Sequence, residues 1–223
     1  MRDAQRSAGL ERCTLFADLT HEDRVLLALN AVERRYVRGD PVVKKGDVPT
    51  GLILVLAGKL KLTCQSPNGN ERVIDILATG QTYGEAAVSL AIPHPIFVTA
   101  LTRTQVLHID LRTLRQLAAR EPYFRLRLMT NLSERILHLA QDIVATSCLA
   151  PVHRIANYLL SASTPAQPVI ELPVYKWVIA SRLAMTPEAF SRALRDFVES
   201  KIIVVRGKHL HILDRVRLAA LAQ

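Results

Sequence analysis

The chain has 223 residues, of which 49% are hydrophobic, and it carries a formal net charge of +9 at pH 7. This composition excludes a disordered or collagen-like protein, and the length allows one large domain or two modest ones, each with its own core. The basic excess lies toward the C-terminus, where residues 148–223 carry ten basic against five acidic side chains. A basic surface suits a polyanion such as nucleic acid, and the alternative is the solvated face of an ordinary basic protein.

The three cysteines, Cys13, Cys64 and Cys148, are scattered along the chain. An odd number without regular spacing indicates no disulfide framework and fits a reducing compartment. The N-terminal residues contain no apolar core of a signal peptide, and the longest apolar run, residues 51–58, is too short to span a bilayer. The sequence therefore predicts a cytoplasmic protein without a membrane partner.

Short β-rich stretches separated by Gly and Pro dominate residues 1–111. Residues 66–70 predict a hairpin turn, because Asn68-Gly69 readily adopts positive φ. Strands and turns at this spacing predict an antiparallel sandwich or barrel. Ahead of the strands, residues 15–30 predict a helix with Thr20 as its N-cap.

From about residue 111 the apolar period changes from two residues to three or four. Glu121-Pro122 predicts a break, and residues 123–147, which contain neither Gly nor Pro, predict one long helix. Its apolar positions recur at steps of four, four, three and four: Leu128, Leu132, Ile136, Leu139 and Ile143. This seam is typical of a coiled coil and predicts a two-fold homodimer; the alternative is that the stripe packs on the β-domain of its own chain.

Residues 175–213 have the pattern of a winged helix-turn-helix. A short helix is followed by Thr186-Pro187-Glu188, which combines a good N-cap, a residue suited to the first helical position and an acid at the positive end of the dipole. The second helix, within residues 187–201, places Phe190, Leu194 and Phe197 on one face. Two β-rich stretches then flank Arg206-Gly207-Lys208, which predicts a hairpin wing with a basic tip.

The polar face of the second helix has side chains suited to base edges. Arg192 can donate two hydrogen bonds to guanine, Glu188 can accept one from cytosine, and Ser191 can bond either way. Lys176 and the two basic residues of the wing suit phosphates instead. The predicted DNA-binding residues are Lys176, Thr186, Glu188, Ser191, Arg192, Arg195, Arg206 and Lys208. The alternative is an amphipathic helix with a solvated charged face.

The order of β-domain, long helix and winged helix-turn-helix resembles the CRP/FNR family of bacterial regulators over nearly the whole chain. Residues 187–192, Pro-Glu-Ala-Phe-Ser-Arg, resemble the Glu-x-x-Ser-Arg recognition motif of the FNR branch, whose members read TTGAT-like half-sites in an inverted repeat. Lys45-Gly46-Asp47 and Tyr83-Gly84-Glu85 resemble segments of the family's sensor domain.

The resemblance implies an α+β fold with three parts. These are an antiparallel β-roll sensor similar to cyclic-nucleotide-binding domains (residues 1–111), a dimerisation helix (112–148) and a winged helix-turn-helix (149–223). It implies a homodimeric regulator, of the activator kind, that binds double-stranded DNA under allosteric control by an effector. RNA polymerase is the expected protein partner.

The resemblance also places an effector pocket at Tyr83, Gly84, Glu85, His94, Pro95 and Phe97. Cyclic-nucleotide binders of the family carry an Arg-Ser pair there, whereas this chain has His94-Pro95 or Pro95-Ile96, which offer no guanidinium. We therefore predict that cAMP is not the effector. The oxygen-sensing members hold an iron–sulfur cluster with a group of N-terminal cysteines, and Cys13 stands alone near the start of this chain, which argues against such a cluster.

With an FNR-like recognition helix but no phosphate-binding Arg-Ser pair and no cysteine cluster, the sequence resembles the DNR/NNR-type regulators of denitrification. That similarity implies nitric oxide sensing through haem, with His94 as the first axial ligand to test. The sequence predicts no other metal site.

Two alternatives remain open at this stage. A cupin-like metal enzyme requires clustered His and carboxylate ligands, but His94 and His108 stand alone in the sequence and no nucleophile–base–orienter set is visible. A module that uses the helix-turn-helix to dock another protein is the second. Duplex binding with a steep salt dependence distinguishes a DNA-binding regulator, which we expect, from both.

Overall fold

The structure, a computed structural model, describes residues 2–172 and 175–222. It divides into two compact units, Met1–Leu137 and His138–Gln223, and the boundary falls within the longest helix. An antiparallel β-domain, a long helix and a C-terminal helix-turn-helix confirm the predicted α+β class.

The first unit is a roll of two sheets with helices around it. Its helices are α1 (Arg2–Glu11), α2 (His21–Leu29), α3 (Glu85–Leu90), α4 (Leu111–Arg120) and the first part of α5 (Pro122–Cys148). Its strands are β1 (Ala31–Tyr36), β2 (Pro41–Val43), β3 (Gly51–Ala57), β4 (Leu60–Gln65), β5 (Glu71–Leu77), β6 (Thr82–Tyr83), β7 (Phe97–Ala100) and β8 (Thr104–Asp110).

The strands pair antiparallel in the orders β1-β8-β3-β6 and β2-β7-β4-β5. Ile53 and Val55 of β3 belong to the core between the sheets, while Leu52 and Leu54 belong to a second core that also contains buried residues of the helices. Because β3 is covered on both faces, it is an almost continuous apolar run and does not alternate.

The helix cap, the hairpin turn and the helix break predicted from the sequence are found in this unit. Thr20 caps α2, since its hydroxyl oxygen accepts a hydrogen bond from the Asp23 N–H at 3.1 Å. The predicted helix is shorter than expected: a 3₁₀ turn at Thr14–Phe16 precedes it, and α2 begins only at His21. The hairpin closes where predicted, with the Ser66 N–H donating to the Asn70 carbonyl at 2.9 Å. The break at Pro122 separates α4 from α5.

The second unit contains the last part of α5 and a small helical domain with one sheet. Its other elements are α6 (Pro151–Ser161), β9 (Val169–Glu171), α7 (Lys176–Arg182), α8 (Pro187–Glu199), β10 (Ile203–Arg206), β11 (His209–Ile212) and α9 (Arg215–Ala220). The sheet order is β10-β11-β9, and all neighbours are antiparallel. Ile155, Ile179, Phe190 and Phe197 lie in the core beneath these helices. Within the two described ranges, no helix is both long and apolar enough to cross a membrane.

Candidate nucleic-acid interface and sensor-domain cavities

A tight turn joins the two helices of the helix-turn-helix. Ala184 has a left-handed backbone with φ of +52°, and the Met185 N–H donates back to the Ala180 carbonyl at 2.8 Å. Two residues later, the Thr186 hydroxyl oxygen accepts from the Ala189 N–H at 3.2 Å and caps α8, with Pro187 in its first turn. The cap and the turn thus fix where the second helix starts.

Helix α8 has one buried and one exposed face. Phe190 and Leu194 are buried in the core of the second unit. Glu188, Arg192 and Arg195 are exposed on the other side, and Ser191 is half-buried between the two faces. A helix held by its apolar face with polar and basic groups turned to solvent meets the geometric requirement for reading a major groove.

The remaining predicted DNA-binding residues lie around this helix. Lys176 is exposed in the first turn of α7, and Arg206 is exposed at the end of β10. Lys208, also exposed, has its Nζ 2.6 Å from a carboxylate oxygen of Glu171, so this amine is already ion-paired in the free protein. The Thr186 hydroxyl is committed to the helix cap. Of the basic side chains near the wing, Arg206 is therefore the better candidate for a phosphate contact.

The exposed stripe of α5 includes three of the five residues of the predicted seam. Ile136 and Ile143 are 68% and 63% exposed, and Leu139 is also exposed. Leu132 is half-buried, and Leu128 packs against a buried core of the first unit. Met129, which the predicted seam omitted, is 66% exposed. A long helix that leaves such an apolar stripe in water has the surface that a partner would cover.

The Tyr83-Gly84-Glu85 segment is tightly packed. Gly84 has φ of +112°, and a Cβ there would lie 3.0 Å from the Gly51 carbonyl oxygen, so glycine is required at this position. Glu85 is buried, and its carboxylate accepts a hydrogen bond from the Thr82 hydroxyl. Glu85 borders a cavity of about 200 Å³ whose walls, formed mainly by apolar side chains, include Phe124.

His94 lies beside Tyr83 but borders a different cavity. It is 5% exposed, its ring stacks on Tyr83 with centroids 5.3 Å apart, and its buried Nδ1 atom has no hydrogen-bond partner. Burial lowers the pKa of this imidazole. Pro95 is exposed and Phe97 half-buried. The structure thus brings Tyr83 and His94 together, and it places Glu85 and His94 in the walls of separate cavities.

The cavity beside His94 has a volume of about 350 Å³ and is also bordered by Arg34, Asp47, Thr50 and His108. Sequence reasoning missed these neighbours because they come from distant segments. The size is at the low end of the roughly 300–1,000 Å³ of ligand pockets, and much of the lining is charged or polar. The small size and the largely polar lining of this cavity do not fit the large apolar ring of a haem, so we assign no role to one at His94.

The described ranges contain no cluster of side chains suited to a metal ion. No group of three or more His, Cys, Asp or Glu side chains there could hold one. The three cysteines are free, and burial raises the pKa of the Cys13 thiol to about 11. A thiol with so high a pKa is mostly protonated near neutral pH and is unreactive.

Comparison with known proteins agrees with this geometry. The cyclic nucleotide-binding domain family matches residues 33–121, and the Crp-like helix-turn-helix domain family matches residues 153–221. The chain is 29% identical to the "Probable transcriptional regulator flp" of Lacticaseibacillus casei, over 90% of this chain and 91% of the relative. It is 27% identical to the "Transcriptional activator protein Anr" of Pseudomonas protegens, over 83% and 78%. The structure of FixK2 from Bradyrhizobium japonicum shares the fold, with a TM-score of 0.79 at 18% identity over 86% of this chain and 98% of that one.

The fold and the site define a transcription regulator with a winged helix-turn-helix and a sensor domain of the cyclic-nucleotide-binding type. The chain belongs to the CRP/FNR family of DNA-binding transcription regulators. The matching relatives regulate transcription and are not enzymes.

Proposed function

We propose that the chain acts in the cytoplasm as a homodimer that reads an inverted repeat of TTGAT-like half-sites through α8. The observation that carries this proposal is the exposure of Glu188, Arg192 and Arg195 on a helix whose opposite face is buried. Arg192 donates two hydrogen bonds to a guanine, and Glu188 accepts one from a cytosine. These pairings match the G·C pair of a TTGAT half-site.

The basic side chains around α8 set the position of the protein on the duplex. Lys176 and Arg206 bind phosphates, and each neutralised phosphate releases condensed counterions. Lys208 joins them once DNA competes with Glu171 for its amine. Affinity for any duplex therefore falls with salt, while the choice of sequence depends on α8.

The exposed stripe of α5 supports the dimer. Two copies of the stripe, related by a two-fold, bury Ile136, Leu139 and Ile143 of each chain against the partner. A two-fold matches an inverted repeat, whose half-sites lie about one helical turn, or roughly 34 Å, apart. An effector in the β-roll then controls affinity if it binds more tightly to the conformation that fits this spacing.

Cyclic AMP is not that effector in this proposal. The positions that correspond to the phosphate-binding pair hold His94, Pro95 and Ile96, and His94 is buried with a lowered pKa. None of the three supplies a fixed positive charge for a cyclic phosphate. The similarity to Anr, a transcriptional activator, favours activation for this chain too, with RNA polymerase as the protein partner.

The test is fluorescence anisotropy with two labelled duplexes of equal length, one carrying the TTGAT inverted repeat and one with both half-sites scrambled. We expect tighter binding to the repeat, by roughly a thousandfold or more. We also expect affinity for both duplexes to fall linearly in log–log plots against salt. Equal affinity for the two duplexes would refute the assignment of sequence reading to α8. A spacing series shows whether two half-sites are engaged at once, and in vitro transcription shows whether binding activates.

A further inference from the structure

The cavity beside His94 has charged groups of both signs in its walls. We call it the roll cavity and define its polar wall as Arg34, Asp47, Thr50, His94 and His108. Val43 of one sheet and Ile53 and Val106 of the other also border it, so the cavity lies between the two sheets.

The strand register places His108 at the centre of the polar wall. His108 pairs with Val32 of β1 on one side and with Ile53 of β3 on the other. Arg34 follows Val32 by two residues and therefore lies on the same face of β1. On the β3 side, the Thr50 hydroxyl lies 3.0 Å from His108 Nε2, and Asp47 belongs to the loop that leads into β3. Arg34 thus borders the cavity from the β1 side of β8, and Asp47 borders it from the loop that precedes β3.

The two histidines add hydrogen-bonding groups without adding charge. Burial lowers the pKa of His94, and burial together with the nearby Arg34 charge lowers the pKa of His108. Both rings are neutral near pH 7, which leaves Arg34 and Asp47 as the charged groups of this wall. A ligand complementary to such a wall carries one positive and one negative group and no net charge.

Two further features describe how a ligand reaches this wall. Arg34, Asp47 and Thr50 are exposed, so their polar groups are accessible, whereas the unpaired Nδ1 atom of His94 is sealed from solvent and makes no contact with a ligand there. The carboxylate of Asp47 is fixed by the Lys44 N–H, which donates to Oδ2 at 2.8 Å. This bond uses one carboxylate oxygen to hold the group in place.

We propose that the roll cavity binds a free α-amino acid with an aliphatic side chain. Arg34 binds the carboxylate, Asp47 binds the ammonium group, and the apolar wall formed by Val43, Ile53 and Val106 packs against the side chain. The proposal rests on the proposed function in taking the β-roll as the sensor. It differs from the pocket expected by resemblance, because the residues that hold the ligand charges lie on β1 and in the β2–β3 loop.

The experiment is isothermal titration calorimetry of the full chain with three probes that share one aliphatic group. L-leucine carries both charges, 4-methylpentanoate only the negative one, and 3-methylbutylamine only the positive one. We expect L-leucine to bind and each half-charged probe to bind at least roughly tenfold more weakly, since a hydrogen bond to a charged group is lost. Equal binding of leucine and 4-methylpentanoate would overturn the zwitterion assignment, and no heat with any probe would overturn the site.

Two pairs of variants locate the binding. We expect Arg34→Gln and Asp47→Asn each to weaken leucine binding at least roughly tenfold. Arg35→Gln removes a neighbouring Arg that is ion-paired to Glu33 at 3.2 Å, and Asp40→Asn alters an equivalent turn in which a carboxylate accepts the Val37 N–H at 2.8 Å. We expect both controls to bind leucine like the original chain. Retained affinity in Arg34→Gln or Asp47→Asn would refute the assignment.

Parallel titrations with the TTGAT duplex separate this inference from the proposed function. Sequence-specific DNA binding without any leucine binding would refute the roll-cavity site alone. Leucine binding without sequence-specific DNA binding would support the site and refute the proposed reading of DNA. Thermal unfolding of each variant confirms that it is folded before its affinity is compared.

Discussion

The imidazole of His94 stacks on the phenol ring of Tyr83, with ring centroids 5.3 Å apart and an angle of 27° between the planes. The backbone of His94 is fixed as well, since its N–H donates to the Asp47 carbonyl at 2.9 Å. Burial disfavours charge on both rings: it lowers the pKa of His94 and raises the pKa of Tyr83 to about 12. The sensor domain therefore holds two titratable rings in their neutral forms.

The first prediction concerns pH. The pKa of His94 in the folded chain lies below the unfolded value of about 6.5, so the unfolded chain binds more protons between these two values. The stability that neutral His94 contributes is complete above about pH 6.5 and is lost as the pH falls through the folded pKa. Urea unfolding between about pH 7.5 and 5.5 should show this decline, and it should be smaller in His94→Gln.

Part of the decline in stability with falling pH remains in His94→Gln, because the pKa of His108 is lowered too. His21→Gln, which alters an exposed histidine of α2, is the matched control and should leave the slope as it is. An identical pH slope in His94→Gln and the original chain would contradict this account.

The second prediction separates base reading from phosphate binding. Arg192→Ala should cost about 1–3 kcal/mol on the TTGAT duplex and relax the preference at one base pair, because a bidentate contact to guanine is lost. Arg206→Ala should weaken binding to all duplexes alike and reduce the slope of log affinity against log salt by about one. Competition assays over single-base variants of the half-site measure both. If Arg192→Ala keeps the original base preference, another residue reads that pair.

The winged helix-turn-helix was predictable because its signals are local. The Thr186 cap, Pro187 and the apolar face at Phe190 and Phe197 lie within a few residues of one another, and the structure places them as the sequence indicates. Ala184, where glycine is common in the family, adopts the left-handed turn nonetheless.

The sensor domain was less predictable because its geometry depends on distant pairings. β1 contains charged residues at its centre and is an edge strand, so it lacks the alternation that marks a half-buried strand. His94 and His108 stand alone in the sequence, yet they border one cavity with Arg34, which β1 brings next to β8. No periodicity within one segment reports such a pairing.

The third prediction tests the dimer. The face of α5 that carries Arg135 is turned toward the roll, since Arg135 lies 3.1 Å from the Asp75 carboxylate, and the Ile136 face remains in water. Ile136→Asp should therefore produce monomers in sedimentation velocity, because a charge at the centre of the seam has no partner there. Leu90→Asp, at an exposed leucine of α3, is the control and should leave the dimer intact. If Ile136→Asp still forms a dimer, the dimer interface lies on another surface of the chain.

The last prediction concerns the turn at Ala184. A left-handed backbone costs a non-glycine residue roughly 1–2 kcal/mol, and glycine removes this cost from the folded state. Glycine also raises the conformational entropy of the unfolded chain, which offsets part of the gain in stability. Ala184→Gly should therefore raise the free energy of unfolding by about 1 kcal/mol or somewhat less. Trp177, the single tryptophan of the chain, lies on α7 and reports the unfolding of this unit by fluorescence.

Ala189→Gly, within α8, should instead lower the stability by about 0.5–1 kcal/mol. Equal losses in the two variants would mean that residue 184 is not left-handed in solution, and the turn that sets the start of α8 would then have to be different.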